Sequence, residues 1–186
     1  MSARSPDSSD STCRIVTGAQ AAQIVEVGQG VRAVADRPGT RFAATLGSCV
    51  ALCLHDVTAM RGGMNHIFQC VDPGPMGAAA IVSESEALVN ALLRRGSRRV
   101  DLVARMAGGA HLRGRGRDHG REIARAVLDY LTTERIPLLQ KDVGGMRARR
   151  ILFDPVAGRM QIALIGTRDD LPAIPPRLNP MGPELF

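Results

Sequence analysis

Thr45-Leu46-Gly47-Ser48-Cys49-Val50-Ala51-Leu52-Cys53-Leu54 is an apolar run broken by a single Gly-Ser pair. After a polar loop that starts at His55, Arg61-Gly62-Gly63-Met64-Asn65-His66 leads into a second apolar run, Met64 to Val71. Two such runs across a polar loop predict a β-hairpin, Cys49 to Leu54 against Met64 to Val71. Gly47-Ser48 interrupts the chain immediately before Cys49. Glycine permits a tight backbone there and can aim successive N–H groups at one point. Gly47 and Ser48 are therefore candidates for a loop that holds a nucleophilic sulfur beside an oxyanion hole. With the hairpin turning near Val57-Thr58, His66 is expected opposite Cys49, where Cβ atoms stand about 4.5–5.5 Å apart. An imidazole at that distance favours the thiolate and supplies a proton to a leaving group.

Outward from the hairpin the pattern stays layered. Ala22 to Val27, Val31 to Ala35 and Arg41 to Leu46 read as strands, separated by Gly28, Gly30 and an Asp36/Pro38/Gly39 turn. Asp72 to Gly77, with Pro73 and Pro75, reads as a loop. Ala87, Leu88, Ala91 and Leu92 have helical spacing, Ser83 and Glu86 form a capping-box pattern, and Gly96 supplies a stop. These signals predict a helix over 84–95. Val100 to Met106 is a strand ending near Gly108-Gly109. Ile123, Val127, Leu128 and Leu131 mark a second amphipathic helix. Ile136 to Val143 is a strand, and Arg150 to Phe153 and Met160 to Ile165 flank a turn at residues 154–158. Strands, helix, strand, helix, strands predict an α+β fold, a layered sandwich of mostly antiparallel sheet with two main helices. Residues 1–18 read as a disordered tail, 19–166 as the folded domain, and 167–186, with five prolines, as an irregular tail.

The chain has 186 residues, 45% of them apolar, which is ample for one domain core. No apolar run is expected to approach the roughly 20 residues of a membrane helix, and the N-terminus lacks a secretory pattern. The expectation is a cytoplasmic, monomeric protein with reduced cysteines. Net charge is +6, and Lys141 is the only lysine among 24 basic residues. Such a balance invites a nucleic-acid reading. With no Trp, one Tyr and four Phe, however, there is almost nothing on which to stack bases. Arg113, Arg115, Arg117, Arg121 and Arg125 alternate with glycines, joined by Arg147, Arg149 and Arg150. Arg113, Arg115, Arg117 and Arg149 are candidates for docking an acidic protein surface; the alternative is a solvated loop and helix face. His111 and His119 flank that stretch as surface residues, and His55 falls on the hairpin loop without a partner.

The four cysteines are Cys13, Cys49, Cys53 and Cys70. Cys53 shares a strand face with Cys49 and reads as core. A rival pattern, Cys49-x3-Cys53 and then His66-x3-Cys70, has the spacing of a zinc site. The apolar strand context argues against it, since Cys49 and Cys53 would lie two residue pairs apart.

At these residues the sequence resembles the CheD family, chemoreceptor glutamine deamidases of bacterial chemotaxis. The resemblance rests on Leu46-Gly47-Ser48-Cys49-Val50-Ala51, Gly62-Gly63-Met64-Asn65-His66, Gly108-Gly109-Ala110, and Asp142, Gly144-Gly145 and Arg149. It covers about residues 25–165. It implies a CheD-like cysteine hydrolase without cofactor, converting receptor glutamines to glutamate with Cys49 as nucleophile and His66 as base. The family threonine that orients the histidine falls at Ala43. Thr45, two residues on, or a main-chain carbonyl is expected in its place. An Ile-Gly-x-Arg-Asn motif of the family falls on His119-Gly120-Arg121-Glu122-Ile123, which keeps only the glycine. A non-catalytic adaptor binding receptors or a CheC-type phosphatase is the second reading.

Overall fold

A computed structural model describes residues 23–68, 75–112 and 115–165. The expected tails at 1–18 and 167–186, and Cys13, Cys70 and Arg113, lie outside these residues.

Among the described residues nine strands and two α-helices follow in order: β1 Gln23–Glu26, β2 Arg32–Ala35, β3 Thr40–Leu46, β4 Val50–Asp56, β5 Arg61–Ile67, α1 Pro75–Leu93, β6 Leu102–Gly108, α2 His119–Thr133, β7 Leu138–Val143, β8 Ala148–Asp154 and β9 Arg159–Ile165. One sheet has the order β1-β3-β8-β9 and the other β2-β5-β4-β6-β7. All pairings are antiparallel except β1 with β3 and β6 with β7. The molecule is thus an α+β sandwich, as its sequence pattern implies.

Three layers explain the patterning. Val50, Leu52 and Leu54 of β4 point to the helices and pack with Leu88, Leu92, Ile123 and Val127. Ala51 and Cys53 point the other way and pack with Phe42, Ala44, Leu46, Ile151 and Phe153 of the first sheet. A strand covered on both faces has no solvent side, so β4 is apolar without alternation and buried at every position.

Three local expectations are corrected. Helix α1 begins at Pro75, not near residue 84. Proline suits a first helical turn, where its missing N–H has no intrahelical partner, so what reads as a Pro-rich loop is a helix start. Ser83 is consequently mid-helix, and Glu86 binds Arg99 and Tyr130 instead of a cap. The longer helix also contains an 18-residue window, Met76–Leu93, of mean hydropathy 1.3. By length and composition it could cross a membrane, contrary to the expectation that no run comes close; here Ile81, Leu88, Val89 and Leu92 are buried in the domain core. Finally, His55 lies inside β4, buried, with Nδ1 3.0 Å from the Pro155 carbonyl oxygen. It is a satisfied core histidine, not a loop residue.

Candidate active site

Cys49 sits just before β4, at the end of the Gly47-Ser48 break. Two main-chain bonds fix this corner: Gly109 N–H donates to the Cys49 carbonyl at 2.7 Å, and Ala110 N–H to the Gly47 carbonyl at 2.8 Å. The approach is close enough to demand glycine. Gly108 has φ +114°, and a Cβ there would stand 2.2 Å from the Cys49 carbonyl oxygen. One layer behind, a Cβ on Gly120 would stand 2.4 Å from the Gly109 carbonyl carbon. The start of α2 thus rests directly on the loop that supports Cys49. Gly120, the one residue kept from the family's second-helix motif, has a packing reason to be glycine. Asp118 caps that helix by accepting from Arg121 N–H at 2.9 Å.

The register places His66 opposite Ala51, not opposite Cys49 as the sequence suggested. Cys49 lies two residues before Ala51, outside the paired strand, so Cys49 and His66 are diagonal neighbours on one face. Diagonal neighbours remain within reach of long or aromatic side chains. Both residues are buried, at 7% and 5% exposure. Cys49 is not in a disulfide.

The His66 ring is oriented by the main chain. Its Nδ1 lies 3.0 Å from the Val27 carbonyl oxygen, so Nδ1 carries the hydrogen and donates it. Nε2 is left as the lone-pair nitrogen. It is buried and has no hydrogen-bond partner among the described residues. Burial lowers the ring's pKa below the ordinary histidine value, and the Val27 bond only partly offsets this. A neutral imidazole with one nitrogen fixed and the other vacant is equipped to take a proton.

Thr45 does not orient this ring. It is an exposed residue on the outer face of the first sheet, and its Oγ1 accepts from Arg150 at 3.2 Å. The inner face of β3 is made by Phe42, Ala44 and Leu46. Of the two expected orienters, the main-chain carbonyl is the one in place.

The arginines divide. Arg149 is buried, with Nη2 2.8 Å from Asp142 Oδ1 and Nη1 3.1 Å from the Arg147 carbonyl oxygen. It ties β8 to β7 and is not available for docking, which corrects that expectation. Arg115 and Arg117 are exposed; Arg117 pairs with Glu122 at 2.6 Å. Arg117, Arg121 and Arg125 rim a groove of about 730 Å³ between α1 and α2. His111 lies half-buried, with Nε2 3.2 Å from the Arg115 carbonyl oxygen, and His119 is exposed.

The zinc pattern does not assemble among the described residues. Cys53 is wholly buried between the sheets, its Sγ 3.9 Å from Met160 Sδ, and burial pushes its thiol pKa up. No three His, Cys, Asp or Glu side chains gather as a metal set among the described residues.

Gln29 joins the site without any expectation from the sequence. Its Nε2 lies 3.4 Å from Cys49 Sγ. The one signal was its setting between Gly28 and Gly30, which reads as a turn but says nothing of what the turn faces.

Residues 81–164, from α1 to β9, match the family model described as CheD chemotactic sensory transduction. This match begins after Cys49 and His66. Longer similarities cover most of the chain. A probable chemoreceptor glutamine deamidase CheD of Caulobacter sp. (strain K31) is 36% identical over 174 residues, 87% of this chain and 92% of the relative. A protein of the same description from Anaeromyxobacter dehalogenans (strain 2CP-C), CheD 1, is 42% identical over 132 residues, 67% and 74% of the two chains. A third, from Jannaschia sp. (strain CCS1), is 33% identical over 165 residues, 88% and 94%. Among solved structures, the Bacillus licheniformis hypothetical protein YfiH overlaps with a TM-score of 0.44 at 15% identity, covering 68% of this chain and 61% of that one.

Proposed function

This chain belongs to the CheD family, and we propose that it hydrolyses the side-chain carboxamide of selected glutamines on bacterial chemoreceptors, giving glutamate and ammonia. The observation that supports this most is the state of His66. Its Nδ1 is held by Val27 and its Nε2 is vacant, on the same sheet face as Cys49.

The steps follow from these groups. His66 Nε2 takes the Cys49 thiol proton. The sulfur attacks the glutamine carboxamide carbon, and the carbonyl electron pair moves onto oxygen. The C–N bond then breaks, and His66 returns its proton to the departing nitrogen, which leaves as ammonia. The thioester remains on Cys49. His66 next takes a proton from water, whose oxygen attacks the thioester carbonyl carbon, and the proton returns to the sulfur. The products are a glutamate side chain and the free thiol. No cofactor enters these steps.

Substrate docking falls to the exposed Arg115 and to Arg117, Arg121 and Arg125 at the groove between the helices, where an acidic helical surface would meet exposed guanidinium groups. Cytoplasmic location, a monomeric state and an association with a CheC-type phosphatase belong to this reading. Purified protein incubated with a receptor cytoplasmic fragment should release ammonia, and Cys49→Ala should not. The adaptor reading predicts binding of the same fragment with no ammonia from either protein.

A further inference from the structure

We infer that Gln29 supplies the side-chain donor of the oxyanion hole, an inference that rests on the reading of Cys49 as nucleophile. Gln29 Nε2 points its N–H at Cys49 Sγ across 3.4 Å. A donor so close to the attacking sulfur is beside the place where the substrate oxygen gains charge, one bond beyond the carbon the sulfur attacks. Side-chain carboxamides serve this purpose when fixed about 2.7–3.1 Å from the developing oxyanion.

Gln29 is fixed by its turn. Val31 N–H donates to the Gly28 carbonyl at 3.1 Å, closing a four-residue turn with Gln29 and Gly30 at its centre. Gly30 has φ +72°, as the third position of a type II turn requires. A Cβ there would press on the Phe68 ring at 3.0 Å. The turn is also bonded to the base's own strand. Gly30 N–H donates to the His66 carbonyl at 2.9 Å, and His66 N–H to the Val31 carbonyl at 3.1 Å. The segment from Val27 to Val31 therefore does two things at once. Its Val27 carbonyl sets the base, and its Gln29 amide faces the nucleophile. Gln29 is itself an exposed residue whereas Cys49 is buried, so an incoming carboxamide meets Gln29 on its way to the sulfur.

In the resting protein the amide N–H bonds the sulfur. As Sγ forms its bond to the carboxamide carbon, the electron pair of the C=O bond moves to oxygen, and the same N–H turns to that oxygen. When ammonia departs the pair returns and the C=O bond re-forms. Gln29 gains and loses no atoms in the cycle.

The test compares Gln29→Leu and Gln29→Met with the parent protein in two assays. One is deamidation of a receptor fragment. The other is alkylation of Cys49 by iodoacetamide, followed by mass spectrometry of the Cys49 peptide; alkylation is a displacement at a saturated carbon and develops no oxyanion. Both variants are expected to lose roughly a hundredfold or more in kcat, with KM little changed. Measured above the alkylation midpoint, where the thiol is fully ionised, their alkylation rates should stay within a few-fold of the parent's, which also shows that the fold is intact. Parent-like kcat would overturn the inference. So would a kcat that returns to the parent's once the pH is raised above the alkylation midpoint, which would make Gln29 a thiolate stabiliser alone, or faster alkylation with lower KM, which would make it a plug. Cys49→Ala separates this from the underlying reading. If Cys49→Ala still deamidates, the reading itself fails; if it is inactive while Gln29→Leu is fully active, only the inference fails.

Discussion

The His66 ring is held by the main-chain carbonyl of Val27, with Nδ1 3.0 Å from the oxygen. A carbonyl cannot be removed by substitution, so the orienting contact is independent of which side chain occupies position 43 or 45. Replacing Thr45 by Val should therefore leave deamidation within twofold of the parent, because among the described residues its hydroxyl bonds Arg150 on the outer face, away from His66. His66→Gln should lower kcat by about 10²–10⁴, the ordinary worth of a positioned base. Steady-state kinetics of both variants on one receptor fragment checks the contrast.

The pH profile carries the sign of the His66 shift. The ring must be neutral to take the thiol proton, and burial lowers its pKa from the ordinary 6.5. The acid limb of kcat/KM should accordingly fall below pH 6.5. Stability moves the same way. The unfolded chain protonates His66 near the ordinary value while the folded chain resists, so the unfolded state binds more protons in that window. This contribution should be absent above pH 6.5 and destabilise the fold progressively below it, until the folded ring also protonates. Denaturant titrations across the window, with His66→Gln as reference, should show the parent losing more stability than the variant as pH falls.

Much of this was legible in the residues. The central hairpin, both helices and the α+β class follow from apolar runs and helical spacing. The Gly108-Gly109 pair marks the end of β6. Three things were not legible, each for a physical reason. Register depends on where the hairpin turns, so His66 reads as opposite Cys49 when it pairs with Ala51. A proline-rich stretch reads as loop although Pro75 suits the first helical turn. Long-range partners leave no local trace: Arg149 looks like a surface arginine until Asp142 is brought beside it, and Gln29 looks like a turn residue until the turn folds over Cys49.

The glycine stack behind the nucleophile couples stability to activity. Gly120→Ala places a Cβ 2.4 Å from the Gly109 carbonyl carbon, and main chain has to move to relieve it. Overpacking of this kind costs about 1–3 kcal/mol. Because Gly109 N–H holds the Cys49 carbonyl, kcat should fall in the same variant even at temperatures where it remains folded. Urea unfolding and kinetics on the one preparation check both halves.

The arginines separate into a structural and a docking class. Arg149→Ala should destabilise the domain by roughly 1–3 kcal/mol, since it leaves the Asp142 carboxylate without its buried partner. Arg121→Glu, on the exposed groove rim, should leave unfolding unchanged and slow receptor association, with the defect shrinking as salt rises. Thermal unfolding and association rates at two ionic strengths distinguish the two.

The central claim is that Cys49 carries the chemistry. Intact-mass measurement of a receptor cytoplasmic fragment after incubation tests it most directly, because each conversion of glutamine to glutamate exchanges an NH2 group for OH. The parent protein should raise the fragment's mass by that increment at each modified glutamine, and Cys49→Ala should leave it unchanged. An equal mass gain with Cys49→Ala would contradict the account.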